Sequence, residues 1–202
     1  MGSISWTSRA GASAALALAA ACGTPRGSDP AGLPAPHLLP ALAPLPLDQV
    51  FVLETSGGQP DDTVLTLPAG ARRVVVLRRS EPDYGLFARL ELPAGTLSAP
   101  SDGGMARLTI RPRPGLYALD FGLTGKLMGD SATITFSYGA HFLAPAGARA
   151  RYGSDLAFEK ELAIGRLAED GMVIFLSTIR PGSDMLSAPL AGPGRYIVAA
   201  PR

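Results

Sequence analysis

The sequence predicts an all-β fold, an antiparallel β-sandwich over residues 48–202, behind an N-terminal signal segment and a proline-rich tether. Three observations predict it. Apolar runs after residue 48 are short, rich in Val, Ile, Leu, Phe and Tyr, and divided by Gly, Pro, Asp and Ser. Their spacing leaves no room for the helices that alternate with strands in a parallel sheet. Within the clearest runs apolar and polar residues alternate, the period of a strand with one face on a core.

The candidate strands, in order, are 50–54, 63–67, 73–79, 85–92, 105–111, 116–122, 132–138, 156–162, 172–178 and 195–199. Thr133-Ile134-Thr135-Phe136-Ser137-Tyr138 places Ile134, Phe136 and Tyr138 on one face. In 116–122, Tyr117, Leu119 and Phe121 point inward, opposite Leu116, Ala118 and Asp120. Three similar turns, at Pro68-Ala69-Gly70, Pro93-Ala94-Gly95 and Pro145-Ala146-Gly147, combine a proline that presets φ with a glycine free to take positive φ. The first two are read as marking related strand pairs. Arg72-Arg73 and Arg78-Arg79 bracket Val74-Val75-Val76-Leu77, and the economical reading is charge guarding an aggregation-prone strand. The string Glu159-Lys160-Glu161 leaves 150–169 open between a strand and a short helix.

Residues 1–21 read as a signal peptide. One basic residue, Arg9, precedes a small apolar run from Ala10 to Ala21. As a helix that run spans roughly 18 Å, too short for a hydrocarbon core of roughly 30 Å. Cys22, the one cysteine of the chain, follows Leu18-Ala19-Ala20-Ala21. This arrangement resembles the lipobox of bacterial lipoproteins. The resemblance implies cleavage before Cys22, a diacylglycerol on its sulfur and acylation, palmitate included, of the mature N-terminus. Two or three acyl chains suffice for stable anchoring to a bilayer. Gly23, rather than Asp, after the cysteine implies outer-membrane sorting in a diderm envelope.

Residues 22–47 form the tether. Seven prolines between positions 25 and 46 preclude a helix or a regular strand, and 25 residues in polyproline geometry reach on the order of 75 Å. The segment is too apolar for a simply solvated linker. Leu33, Leu38, Leu39, Leu42 and Leu45 are candidate partner-binding residues, presented on an extended scaffold to a groove in another envelope protein. Packing along their own domain or on the lipid surface is the simpler alternative.

Composition excludes several function classes. Lys plus Arg number 18 and Asp plus Glu 17, so no field of one sign invites nucleic acid. Removing residues 1–21 takes away Arg9 alone among the charged side chains, leaving 17 against 17. A single cysteine removes disulfide frameworks and zinc-thiolate sites. Of two histidines, His37 lies in the tether and His141 follows a candidate strand, where a structural role is expected. Asp61-Asp62 and the other loop aspartates adjoin Gly, Pro or Ser and are explained by turn formation. No catalytic residue, no metal ligand and no cofactor beyond the lipid at Cys22 is assigned.

At the C-terminal end, Met172-Val173-Ile174-Phe175-Leu176, the Pro181-Gly182-Ser183-Asp184 turn and Gly194-Arg195-Tyr196-Ile197-Val198 resemble the closing strands of bacterial surface-exposed immunoglobulin-like domains. The resulting expectation is a noncatalytic lipoprotein of the cell envelope, facing the periplasm or the cell surface. Its partners are the bilayer, through acylated Cys22, and an envelope or membrane protein. It acts as a structural or accessory interaction module, one version bracing a membrane complex from the periplasmic side. The alternative is a module binding carbohydrate or a small ligand, with Tyr84, Phe87, Tyr138 and Tyr152 as stacking surface.

Overall fold

A computed structural model describes residues 42–100, 103 and 105–202. The chain is an antiparallel β-sandwich. Its strands are β1 (Leu45–Pro46), β2 (Val50–Val52), β3 (Glu54–Thr55), β4 (Thr63–Leu67), β5 (Arg73–Arg78), β6 (Leu86–Leu92), β7 (Leu97–Ser98), β8 (Ala106–Pro112), β9 (Ala118–Thr124), β10 (Lys126–Leu127), β11 (Thr133–Ser137), β12 (Phe142–Leu143), β13 (Ala163–Leu167), β14 (Met172–Phe175), β15 (Ile179–Gly182), β16 (Met185–Pro189) and β17 (Gly194–Pro201). One sheet runs β1-β14-β13-β17-β9-β8-β4, with β2 continuing beside β17. The facing sheet runs β15-β16-β11-β6-β5. Two short ribbons, β12-β3 and β10-β7, lie outside both sheets.

The core forms where the alternation predicts it. Phe87, Leu90, Leu92, Ile134 and Phe136 of one sheet face Leu108, Ile110, Leu119, Phe121, Tyr196 and Val198 of the other, all buried. Tyr117 and Tyr138 are buried too, and the Phe87 and Tyr117 rings stack at 5.4 Å. The central strand β17 is buried on both faces from Tyr196 to Ala200, which explains its unbroken apolar run. Its outward side chains join a second apolar cluster of Val50, Ala118, Val173, Ile197 and Ala199.

The turns behave as their sequences require. Gly70 and Gly95 take φ of 79° and 81°, and the Gly95 N–H donates to the Gly70 carbonyl at 3.0 Å, so these two turns touch each other.

One predicted strand is wrong. Residues 156–162 contain a helix, α2 (Asp155–Lys160), preceded by α1 (Ala148–Tyr152). Ser154 caps α2, its hydroxyl accepting from the Ala157 N–H at 3.1 Å. Leu, Ala, Glu and Lys favour the helix, and Phe158 anchors it against Phe51, Phe142 and Tyr152. The strand in this region is β13, beginning three residues later than the helix ends. Strands β15 and β16 also form where no candidate had been placed.

Candidate functional site

The densest polar constellation gathers around Arg79, immediately after β5. Inward side chains of β5 are Val75 and Leu77, and the same two-residue period turns Arg79 inward, where it is 3% exposed. Its guanidinium donates through Nη1 to Thr55 Oγ1 and the Gly58 carbonyl, each at 3.1 Å, and through Nη2 to the Tyr117 hydroxyl at 2.5 Å. The plane lies over the Phe87 and Tyr117 rings, 5.3 and 5.2 Å from their centroids. Tyr117 in turn donates to the Tyr138 carbonyl at 3.0 Å. Burial pushes the Tyr117 phenol above its ordinary value, against the opposing pull of the nearby Arg79 cation.

Asp83 completes the group from the loop after β5. Its carboxylate sits 3.7 Å from Arg79 Nε and 2.7 Å from His141 Nε2, on the short helical turn Gly139–His141. Gly57 packs against the other side of the imidazole: a Cβ added there would lie 2.6 Å from His141 Cγ and Nδ1 and 2.8 Å from Arg79 Nη1. A histidine–aspartate pair supplies two of the three members of a nucleophile-activating triad. Here a side-chain carbon at position 57 would overlap the His141 ring at both Cγ and Nδ1, so Gly57 is what lets the loop lie close against that side of the ring. The arrangement binds three loops into one clasp, a carboxylate held between a buried cation and an imidazole.

This geometry corrects the reading of Arg78-Arg79 as a pair of surface guards. Arg72, Arg73 and Arg78 are exposed, whereas Arg79 is a core cation. Alternation along β5, with Val75 and Leu77 inward, was the signal that could have located it. A second arginine missed by sequence reasoning, Arg180, donates to the Tyr138 hydroxyl at 2.7 Å and to the Glu159 and Leu162 carbonyls at 2.5 and 3.2 Å, closing the end of α2. Burial drives the Tyr138 phenol up to about 12.

Of the candidate partner-binding residues, Leu42 and Leu45 are described. Both are half-buried, and Leu45 pairs with Val173 in β1 and packs on the outward apolar cluster of the larger sheet. Beside it lies a groove of about 290 Å³ lined by Leu47, Val52, Leu116, Ala118, Leu167 and Ile197, with Arg113 and Arg195 at its rim. Both arginines are engaged by Asp120 at 2.7 Å. Cys22, Leu33, Leu38 and Leu39 lie outside the described residues, as does His37.

The proposed aromatic platform does not assemble. Phe87 and Tyr138 are in the core, and the half-buried Tyr152 spends its hydroxyl on the Pro201 carbonyl at 2.5 Å. Tyr84 alone of the four is exposed. The loop aspartates are dispersed: Asp62 pairs with Arg111, Asp155 with Arg149, and Asp170 accepts from the Met172 N–H in its own turn. Among the described residues no three His, Cys, Asp or Glu side chains gather in metal-binding geometry.

No protein-family model matches the chain, and no curated protein or solved structure gives a significant match.

Proposed function

We propose that the protein is a noncatalytic lipoprotein of the bacterial cell envelope whose β-sandwich serves as an accessory interaction module at a membrane. The observation that carries the reading is the position of Cys22. The one thiol of the chain stands directly after a small apolar run that ends in Ala19-Ala20-Ala21, where a lipid would be attached. Acyl chains supply retention at the bilayer, and the prolines of residues 22–47 supply reach. The folded body supplies a rigid scaffold with open sheet edges and an apolar groove beside the incoming tether.

The polar chemistry of the body supports a noncatalytic role. Arg79 and Asp83 spend their capacity on internal partners, and His141 faces Asp83 on one side and Gly57 on the other. Leucines of the tether that do not find their own domain are the natural contact for an envelope protein.

The test is metabolic labelling of the full chain with a fatty acid, followed by membrane fractionation. The native chain takes up label and sediments with membranes, while Cys22→Ser loses both. An unlabelled native product in the soluble fraction overturns the lipoprotein reading. A photo-crosslinker at Leu42 then tests the partner, since products confined to the chain itself or to lipid count against a partner groove.

A further inference from the structure

Among the described residues each sheet ends in an open edge, and the two edges nearest each other in sequence are flanked by opposite charge, Asp61 and Asp62 before β4 and Arg73 and Arg78 at the ends of β5. Strand β4 ends the larger sheet and β5 ends the smaller one, joined by the five residues 68–72. Among the described residues neither strand has a ladder partner on its outer side. Exposed edges of this kind template pairing with another chain. The outward side chains of both strands are open to solvent: Val64 is 51% exposed, Val74 41% and Val76 45%.

The backbone settles which peptide groups face each open edge. The Arg79 N–H donates to the Gly85 carbonyl, on the β6 side. Strand alternation then turns Val75 and Leu77 toward β6, and Val74, Val76 and Arg78 toward the open side. Arg113 N–H donates to the Ala118 carbonyl on the β9 side, so Ala106, Leu108 and Ile110 face β4. These pair with Leu67, Leu65 and Thr63, which leaves Asp62, Val64 and Thr66 facing outward.

We propose that β4 and β5 are the interface of a two-fold dimer of this chain, in which β4 of each copy pairs with β5 of the other. The short turn makes β4 and β5 run in opposite directions, and a two-fold axis along the strands preserves both directions. Each β4 therefore meets the partner's β5 antiparallel. One register that matches the outward peptide groups sets Asp62, which also pairs with Arg111 of its own chain, opposite the partner's Arg78, Val64 opposite the partner's Val76 and Thr66 opposite the partner's Val74. All six side chains fall on the outer face, so the sheets continue from one copy into the other with the apolar pair at the centre. Shifting the register by two residues in either direction removes the ion pair.

Pairing two copies through β5 alone fits less well. Pairing β5 with the partner's β5 in antiparallel register brings Arg78 opposite or diagonal to the partner's Arg72 at both ends of the ladder, a like-charge contact. The two-fold arrangement uses both open edges of one side at once, so it closes without propagating. The far edges are blunted: β1 is two residues long with a proline, and β15 is four residues long and contains Pro181.

Charge exchange tests the register directly. Sedimentation velocity of the mature full chain in non-ionic detergent is expected to show a dimer. Asp62→Arg and Arg78→Asp each raise its dissociation constant about tenfold, because each dimer holds the pair twice. Combining the two substitutions restores opposite charges and returns the constant to within about twofold of native. As a second measurement, chains carrying Thr66→Cys are mixed with chains carrying Val74→Cys and oxidised. A hydrogen-bonded antiparallel pair sets these Cα atoms about 5.5 Å apart, within disulfide reach, so the mixture crosslinks and neither variant does so alone. A native chain that stays monomeric to about 100 μM, a double exchange as weak as the single ones, or a mixture that fails to crosslink overturns the proposal.

Discussion

Removing the guanidinium of Arg79 is the sharpest test of how the sandwich is held together. Its three hydrogen bonds, to Thr55, Gly58 and Tyr117, each involve a charged donor inside the protein, a class with a net value of about 1.5–3 kcal/mol. The two ring faces beneath it add about 1 kcal/mol each. The desolvation cost that Arg79 carries in the native protein is relieved when it is removed, and these terms do not add, so the net is smaller than their sum. Breaking buried charged networks of this kind costs about 3–5 kcal/mol, and that is the expected destabilisation of Arg79→Ala. Arg79→Met keeps an apolar stem beside the stacked Phe87 and Tyr117 rings and is expected to lose about half as much. Arg72→Ala, seven residues earlier and exposed just before β5, should stay within about 0.5 kcal/mol. Urea unfolding with an unchanged slope measures all three. If Arg79→Ala and Arg72→Ala prove equally mild, the clasp does not hold the loops and the description of the site is wrong.

Two further outcomes follow from the same structure. Burial raises the Tyr138 and Tyr196 phenols to about 12, while unfolded tyrosines ionise near 10. The unfolded chain therefore releases these protons first. Their contribution to stability is complete below about pH 10 and falls progressively as the pH rises toward about 12. The urea midpoint should drop across that window, and Tyr196→Phe, which removes one of the two groups, should lessen the drop; a midpoint constant to pH 12 refutes it. Gly57→Ala drives a methyl group against the His141 ring and the Arg79 guanidinium, at an expected cost of about 1–3 kcal/mol. Thermal or urea unfolding checks it, and a neutral result means that the three loops are looser than their contacts indicate.

The amino-acid pattern by itself determined the sandwich and most of its core. Period-2 alternation is a local property, so Ile134, Phe136, Tyr117, Leu119 and Phe121 could be placed inward without knowing what they touch. Turn chemistry is equally local, and the Pro-Ala-Gly segments declared their positive-φ glycines in advance. Helix α2 stayed open against a strand at 156–162 because its apolar residues fit either. What distinguishes it is the Ser154 cap and the anchoring of Phe158 among three distant rings, and only the second of these needs the fold. The clasp belongs wholly to tertiary structure. Arg79 and Asp83 share the loop after β5, but His141, Gly57 and Tyr117 come from other parts of the chain, and no spacing along the sequence encodes their convergence. Tertiary structure also decided that Leu45 of the tether packs on its own sheet, because burial depends on which surface is within reach, not on the residue's apolarity alone.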